Sequence, residues 1–234
     1  MKAVIMAGGQ GSRLAPYTTV LPKPLMPLID RPIIDVVLRQ LDRAGIDEAI
    51  ISVGHLGSLI EAWVQSNSEY GVPITFVYED EPLGTAGALG NLGSQNGPFF
   101  ALNGDILTTL SFSALADYHR RSEAVATMAV KERTFDIDYG VVHRARDGSV
   151  VAVEEKPRIG YLVSAGVYVF DPAIAEMIGR GERIDFPDLL QRAVGSGARV
   201  AAYEFDGYWR DIGNRDDYEA AIVDFGADPD RFLA

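Results

Sequence analysis

The 234-residue chain contains no cysteine. Disulfides, thiolate catalysis and cysteine-based metal sites are therefore excluded, while the compartment stays undecided on that ground. No apolar run is long enough to span a bilayer. Met1 leads directly into a strand-like run, without the charged stretch, apolar stretch and cleavage site of a leader peptide. The expectation is a cytoplasmic protein with no membrane partner. Positive charge is scarce: 21 Lys and Arg stand against 33 Asp and Glu, a formal net charge of -12. Nonspecific nucleic-acid binding needs a basic face, so nucleic acid is not an expected partner. A small anionic substrate fits if the few cations are focused in one cleft. The three histidines, His55, His119 and His143, are scattered and match no ligand spacing. They are read as surface or structural residues, and Trp63 and Trp209 as packing residues. There is no linker, low-complexity tract or internal repeat.

What is present is ordinary for a globular chain: 47% hydrophobic and 23% charged residues. The length suits one large domain with a substantial core. Apolar strand-like runs alternate with amphipathic stretches, which predicts an α/β fold with a largely parallel sheet. Strands are expected at about 2–7, 49–53, 74–78 and 99–102. Helices are expected from Pro32 to Gly45 and over 59–64. The second half reads differently. A helix at 111–121 and a strand at 125–130 are followed by shorter strands at 140–143, 150–153 and 166–170, with a turn at Arg146-Asp-Gly-Ser149. A helix at 186–194, a strand at 200–205 and a terminal helix at 215–225 complete the pattern. Ligands of open α/β sheets bind beyond the carboxyl ends of strands. Three glycine-rich or polar clusters follow strand ends here, which favours one shared site.

The first 27 residues carry the strongest local signal. A strand containing Val4 and Ile5 runs into Ala7-Gly-Gly-Gln-Gly-Ser-Arg-Leu14, then Leu21-Pro-Lys-Pro-Leu-Met-Pro27. Gly8, Gly9 and Gly11 permit a sharp turn with no side chain between backbone and ligand, and successive amides in such a loop face an anion. Arg13 and Lys23 add fixed positive charge. The loop is not a dinucleotide fingerprint, because Gly9-Gln-Gly-Ser-Arg-Leu14 ends in leucine. It is not a kinase-type phosphate loop either, because it lacks Gly-Lys-Ser/Thr. What stands is Gly-Gly-Gln-Gly-Ser-Arg-Leu with Pro-Lys-Pro downstream. The chain thereby resembles the sugar-1-phosphate nucleotidyltransferases, whose pattern is Gly-Gly-x-Gly-Thr/Ser-Arg-Leu followed by Pro-Lys-Pro. The resemblance extends over nearly the whole chain.

The resemblance implies a three-layer, Rossmann-like, mixed and mainly parallel sheet with added sugar-binding strands. It implies a single nucleotidyltransferase domain over 1–234, nucleotide-binding to about 110 and sugar-phosphate-binding beyond. In the implied chemistry a sugar-1-phosphate oxygen attacks the α-phosphate of a nucleoside triphosphate in line, and pyrophosphate leaves. The protein's part is positioning and charge neutralisation. Arg13 would hold the pyrophosphate, for which its planar fork is suited, and Lys23 would sit near the α-phosphate. Asn103-Gly104-Asp105 lies at a strand end. Mg²⁺ takes oxygen donors, usually one or two carboxylates plus substrate phosphates. Tyr208-Trp-Arg-Asp-Ile-Gly213 resembles the family's Trp-x-Asp-Ile-Gly segment, so Asp105 and Asp211 are paired as metal ligands. Ala7, Ser12, Asn103 and Gly104 join the nucleotide set.

Glu79-Asp-Glu-Pro-Leu-Gly-Thr-Ala-Gly87 resembles the family's base-reading loop. Gly84, Ala86 and Gly87 would let backbone approach base and ribose, with Thr85 among the nucleotide contacts. An ionised carboxylate only accepts hydrogen bonds, and guanine is the common base with two adjacent donors on its pairing edge. Glu79 and Glu81 therefore favour GTP, the alternative being that both face solvent. The loop also has the form of the GDP-mannose and GDP-heptose branch. At the sugar end, Tyr139-Gly140-Val-Val and Glu154-Glu-Lys-Pro157 resemble family segments. Glu155 would accept from sugar hydroxyls and Lys156 would bind the sugar phosphate, with Gly140, Ser164 and Gly166 beside them. Ser164-Ala-Gly166 replaces the Asn-Ala-Gly or Thr-Gly common in the family, which leaves the sugar open.

The expected function is thus Mg²⁺-dependent guanylyl transfer to mannose- or heptose-1-phosphate. The alternatives are thymidylyl, uridylyl, cytidylyl or adenylyl transfer to a glucose-like or cyclitol phosphate, and a noncatalytic nucleotide-sugar sensor. A metal-dependent glycosyltransferase would show Asp-x-Asp, which Asn103-Gly-Asp105 is not. Only a helix follows Gly213, so the C-terminal β-helix or acyltransferase domain of many relatives is not expected. A homo-oligomer is left open.

Overall fold

The computed structural model describes residues 1–233 other than Ser68 and Ser94. In chain order the strands are β1 (Lys2–Ala7), β2 (Pro27–Leu28), β3 (Arg31–Pro32), β4 (Glu48–Val53), β5 (Ile74–Tyr78), β6 (Phe99–Asn103), β7 (Ile106–Thr108), β8 (Ala126–Asp136), β9 (Gly140–Arg144), β10 (Val150–Glu155), β11 (Arg158–Phe170), β12 (Val200–Glu204) and β13 (Trp209–Asp211). The helices are α1 (Ile33–Arg43), α2 (Gly57–Ser66), α3 (Phe112–Ser122), α4 (Pro172–Glu176), α5 (Phe186–Gly195), α6 (Arg215–Ala227) and α7 (Asp230–Leu233).

Seven strands form the central sheet in the order β12-β8-β11-β6-β1-β4-β5. All neighbours in it are parallel except β11, which runs antiparallel to both β6 and β8. The sheet is mixed and mostly parallel, as expected. Its strands are nearly continuous apolar runs because both faces are covered. In β1, Ala3, Ile5 and Ala7 join one core with Ile34, Val37 and Leu41 of α1, Ile60 of α2 and Leu115 of α3. Val4 points the other way, into a second core with Ile174 of α4 and Phe186, Leu189 and Leu190 of α5. The alternation of the strand side chains thus produces the three layers. A third cluster packs Leu14, Met26, Leu28 and Ile33 against Ile212, Tyr218 and Phe225. It fastens α6 beneath the loop that follows β1.

Several elements exceed the sequence reading. β8 continues beyond residue 130 to Asp136, and β11 starts at Arg158 rather than near residue 166. Their extensions pair from Arg158↔Asp136 to Ser164↔Val130. Periodicity reports a buried face, and Glu132–136 side chains are exposed, so the extension left no pattern to detect. β7, β13, α4 and α7 are too short to register for the same reason. The register of β8 with β11 shifts between Ser164 and Tyr168, and Gly166 has φ 70° there. A bulge therefore bends β11 where it passes Asn103.

The phenyl ring of Phe170 is fully buried and sits against Phe99, Tyr168 and Phe186. Phe170→Ala is expected to cost about 3–5 kcal/mol of folding stability, measured by chemical denaturation. A loss below about 1 kcal/mol would mean this aromatic cluster does not hold α5 to the sheet.

Candidate active site

The loop after β1 turns at Gly11 (φ 62°) into a single 3₁₀ turn, Ser12–Leu14. Buried Leu14 anchors that turn in the third core, while Arg13 is left on the open side. Thr18 Oγ1 donates to the Gly11 carbonyl at 2.9 Å. After another at Tyr17–Thr19, Lys23 opens a third 3₁₀ turn, Lys23–Leu25, with Pro22 before it and Pro24 inside it. Its exposure is only 8%, so it is not a solvated surface lysine.

Asp105 follows β6 and Asp211 ends β13. They are distant in the chain, yet β13 pairs antiparallel with β7 so that Asp211 lies opposite Ile106. The Ile212 amide donates to the Asp105 carbonyl at 3.1 Å. This short ladder holds the two carboxylates beside each other. Lys23 Nζ forms an ion pair with Asp105 Oδ2. The other oxygen, Asp105 Oδ1, is buried without a hydrogen-bond partner. Burial pushes the Asp211 carboxyl above the usual range, the charge of Asp105 pushes it further, and Lys23 and Arg13 pull it back. Gly213 lets these groups converge. A Cβ there would lie 3.1 Å from Asp211 Oδ2 and 3.4 Å from an Arg13 guanidinium nitrogen. Arg13 makes no ion pair among the described residues.

These groups line a cleft of about 400 Å³ beyond the carboxyl ends of β1 and β6. Its walls include Ala7, Gly8, Gly9, Gly11, Ser12, Arg13, Lys23, Glu79, Gly84, Thr85, Asn103, Gly104, Asp105 and Asp211. The nucleotide and metal residues expected from sequence are thus brought together, except that Glu81, Ala86 and Gly87 are not in the lining. Glu81 is exposed and lies outside the cleft lining. Glu79 does face the cleft, but it accepts the Ser52 hydroxyl at 2.7 Å and the Leu83 amide at 3.3 Å.

The glycines of the second loop have a reason the sequence did not suggest. A Cβ at Gly84 (φ 77°) would lie 2.6 Å from the Ile184 carbonyl, and one at Gly87 would lie 2.4 Å from the Glu182 carbonyl. The loop packs against the segment before α5. Thr85 is tied there too, its amide donating to Asp185 Oδ1 at 2.7 Å. This segment brings Arg183 into the cleft lining. Sequence reasoning missed Arg183, because it belongs to no motif and follows no strand end.

The sugar-end residues come from the β9–β10 ribbon and from β11. Gly140 and Glu155 are cross-strand partners in the β9–β10 ribbon. Lys156 has φ 46° and stands between β10 and β11. A left-handed non-glycine residue before proline is sparsely populated backbone. Ser164 Oγ shares a hydrogen bond with Tyr168 Oη at 2.8 Å. None of Gly140, Glu155, Lys156, Ser164 or Gly166 is in the cleft lining. Gly166 comes nearest, since a Cβ there would lie 2.7 Å from Asn103 Nδ2. Trp209 is a packing residue, its indole donating to the Ala165 carbonyl at 2.8 Å. Among the described residues no group of three or more His, Cys, Asp or Glu is placed to hold a metal without a substrate's help. No helix among them is long and apolar enough to cross a membrane.

A cleft at strand ends, floored by a glycine-rich turn and flanked by paired carboxylates and cations, is chemically suited to a phosphorylated ligand. The family described as nucleotidyl transferase matches residues 2–227, and the chain belongs to it. A mannose-1-phosphate guanyltransferase of Yarrowia lipolytica is 35% identical over 232 residues, covering 93% of this chain and 62% of that protein. A UTP–glucose-1-phosphate uridylyltransferase of Synechocystis sp. is 32% identical over 243 residues, covering 95% of this chain and 62% of that protein. The chain thus spans about three fifths of the length of these relatives. Among solved structures, HddC from Yersinia pseudotuberculosis complexed with GMP-PN superposes with a TM-score of 0.74 at 25% identity, covering 96% of this chain and 99% of HddC. A putative glucose-1-phosphate thymidylyltransferase from Bacillus anthracis shares the fold, with a TM-score of 0.75 at 24% identity, covering 95% and 94%.

Gly84→Ala combines a left-handed backbone with a contact that cannot be kept. It is expected to cost about 1–3 kcal/mol in denaturant unfolding. An unchanged midpoint would show that the loop does not need its contact with Ile184.

Proposed function

We propose that this chain transfers a nucleotidyl group from a nucleoside triphosphate to a sugar-1-phosphate, releasing pyrophosphate. The observation that carries the reading is the convergence of Arg13, Lys23, Asp105 and Asp211, from four separate segments, on one cleft. A sensor of the same fold would have no use for the full set. In the reaction, a phosphate oxygen of the sugar-1-phosphate forms a bond to the α-phosphorus. The bond from that phosphorus to the bridging oxygen of pyrophosphate breaks. Backbone of residues 8–12 cradles the phosphates, and Arg13, unpaired among the described residues, holds the departing pyrophosphate. Lys23, held in place by its prolines and by Asp105, neutralises charge on the transferred phosphoryl group.

The donor set fits Mg²⁺. Asp105 Oδ1 is an orphaned buried acceptor, and burial beside Asp105 disfavours the charge on Asp211. A divalent cation relieves both. Asp105 and Asp211 would hold it, with phosphate oxygens completing the oxygen shell. When bound, it supplies Lewis-acid neutralisation of phosphoryl charge.

Guanine is the proposed base, and mannose- or heptose-1-phosphate the proposed acceptor. Glu79 lines the cleft and keeps lone pairs beyond those used by Ser52 and Leu83, and the guanyltransferase relatives and the GMP-PN complex point the same way. The uridylyltransferase relative sustains a second reading, UTP with a glucose-like phosphate. We place the enzyme in the cytoplasm.

A pyrophosphate-release screen of five nucleoside triphosphates against a panel of sugar-1-phosphates with Mg²⁺ tests this. Release with GTP and a manno-configured phosphate is expected. Release with UTP or dTTP alone would exchange the base, and none with any pair would leave the sensor reading. Asp105→Asn and Asp211→Asn are each expected to lower turnover roughly 10²–10³-fold. Near wild-type rates in either variant would remove it from the proposed metal site. At [Mg·NTP] about 100-fold above Kd, binding is worth about 2.7 kcal/mol of stability. The resulting rise in melting temperature should disappear when chelator replaces Mg²⁺. A rise that survives chelation would argue against a metal requirement for nucleotide binding.

A further inference from the structure

Asp211 and Arg13 converge on Gly213, and Lys23 pairs with Asp105. Arg183 enters the same cleft lining from the segment bonded to the 83–87 loop, which itself supplies Gly84 and Thr85 to the lining. If the charged group takes the phosphates, that loop and Arg183 are left to face the base. Among the described residues Arg183 is the one cation in the lining besides Arg13 and Lys23.

The backbone on both sides of Arg183 is fixed. The Ile184 amide donates to the Leu83 carbonyl, and the Ala86 amide donates to the Ile184 carbonyl, each at 3.0 Å. The Phe186 amide donates to Thr85 Oγ1 at 2.9 Å. Buried Ile184 and Phe186 lock the segment into the second core. The adjacent carboxylates are already engaged. Glu182 accepts both Arg192 guanidinium nitrogens, at 2.5 and 3.1 Å, and the Gly179 amide at 2.7 Å. Asp185 accepts the Thr85 amide and hydroxyl. Arg183 therefore stands on a rigid support and forms no ion pair among the described residues. Its place in the cleft lining leaves its guanidinium available to an acceptor that enters the cleft.

We propose that Arg183 determines base specificity by donating through its planar fork to O6 and N7 of guanine. This rests on the guanylyl reading above. Those two adjacent acceptors match the guanidinium fork bidentately. Adenine places an amino donor beside N7, facing the fork with a like group. Uracil and thymine offer one acceptor, O4, and cytosine an amino group. Glu79 then serves the adjoining pairing edge, where guanine has its N1 and N2 donors, so that acceptors and donors of one purine meet a cation and an anion. A good bidentate pair discriminates roughly 10- to 100-fold against the wrong base.

The test is equilibrium binding, with Mg²⁺, of GTP, 7-deaza-GTP, ATP and UTP to wild type, Arg183→Ala and Arg183→Lys. Because Arg183 is exposed, both variants should fold, and an unchanged melting temperature verifies it. Wild type should bind 7-deaza-GTP roughly tenfold more weakly than GTP, since one acceptor is gone. Arg183→Ala should bind GTP roughly 10- to 100-fold more weakly and no longer distinguish GTP from 7-deaza-GTP. Arg183→Lys should fall between, and ATP and UTP affinities should stay as in wild type. An equal loss for all four nucleotides would make Arg183 a phosphate ligand and overturn the assignment. So would GTP affinity that survives Arg183→Ala. The guanylyl reading fails separately, by the pyrophosphate screen: wild type that prefers UTP or dTTP loses that reading and this assignment together. Wild type that prefers GTP while Arg183→Ala keeps the preference loses only the assignment.

Discussion

Three residues of β13 paired with three of β7 bring Asp105 and Asp211 together, and the rest of the site is arranged around the consequence. Two carboxylates held side by side repel each other, and burial penalises the charge of Asp211. The raised Asp211 carboxyl is a direct sign of that. Lys23 answers one half of the problem by pairing with Asp105 Oδ2. Arg13 answers part of the other, reaching the same glycine that Asp211 touches. The compensation is incomplete, because Asp105 Oδ1 keeps no partner. A fold that spends stability on an unfinished electrostatic arrangement has a ligand as its natural completion. Oxygen donors that are anionic and only two in number suit a hard cation that brings part of its shell with the substrate.

The legible portion of the sequence was what local patterning controls. The strand from Lys2 to Ala7, the glycine turn after it and the helix after Pro32 are each written in consecutive residues, and they stand where expected. The Asp105–Asp211 pairing came from motif resemblance; no periodicity joins residues so far apart. The β7–β13 ladder that enforces it is too short to carry a period-2 pattern. Arg183 was illegible for a related reason. Its position depends on long-range bonds between residues 83–87 and 182–186, and its neighbours in sequence say nothing of where the chain returns. Glu79 and Glu81 part ways because alternate residues of an exposed loop need not share a direction. Glu79 turns toward Ser52, and Glu81 turns to water.

The second glycine-rich loop shows how one composition supports two different physical demands. The sequence reading assigned Gly84 and Gly87 to close approach by a nucleotide. In the structure the close approach is to the carbonyls of Ile184 and Glu182. The loop is therefore a joint between the nucleotide side of the sheet and the segment leading to α5. Ala86 and Leu89 beside it share the second core with Phe186. A residue change in 179–185 would be felt in the cleft through this joint even without touching a ligand. The sugar-end residues have no such tie: Gly140 and Glu155 ride on a ribbon exposed on both faces. An exposed ribbon leaves no buried face, so local patterning carries little about what it meets.

Charge distribution links these parts. The chain carries a net charge of -12, yet Arg13, Lys23 and Arg183 in the cleft lining balance Glu79, Asp105 and Asp211. The cleft is thus a locally neutral region within a negative body. A free triphosphate approaching it meets long-range repulsion before it meets the loop amides. Screening at physiological ionic strength confines that field to about 8 Å, so the barrier is at the mouth and not in bulk solution. A triphosphate already complexed with a divalent cation carries less negative charge and is opposed less. The same net charge opposes polyanions with many phosphates more strongly. The scarcity of cations thus concentrates what positive charge the site has in the cleft lining.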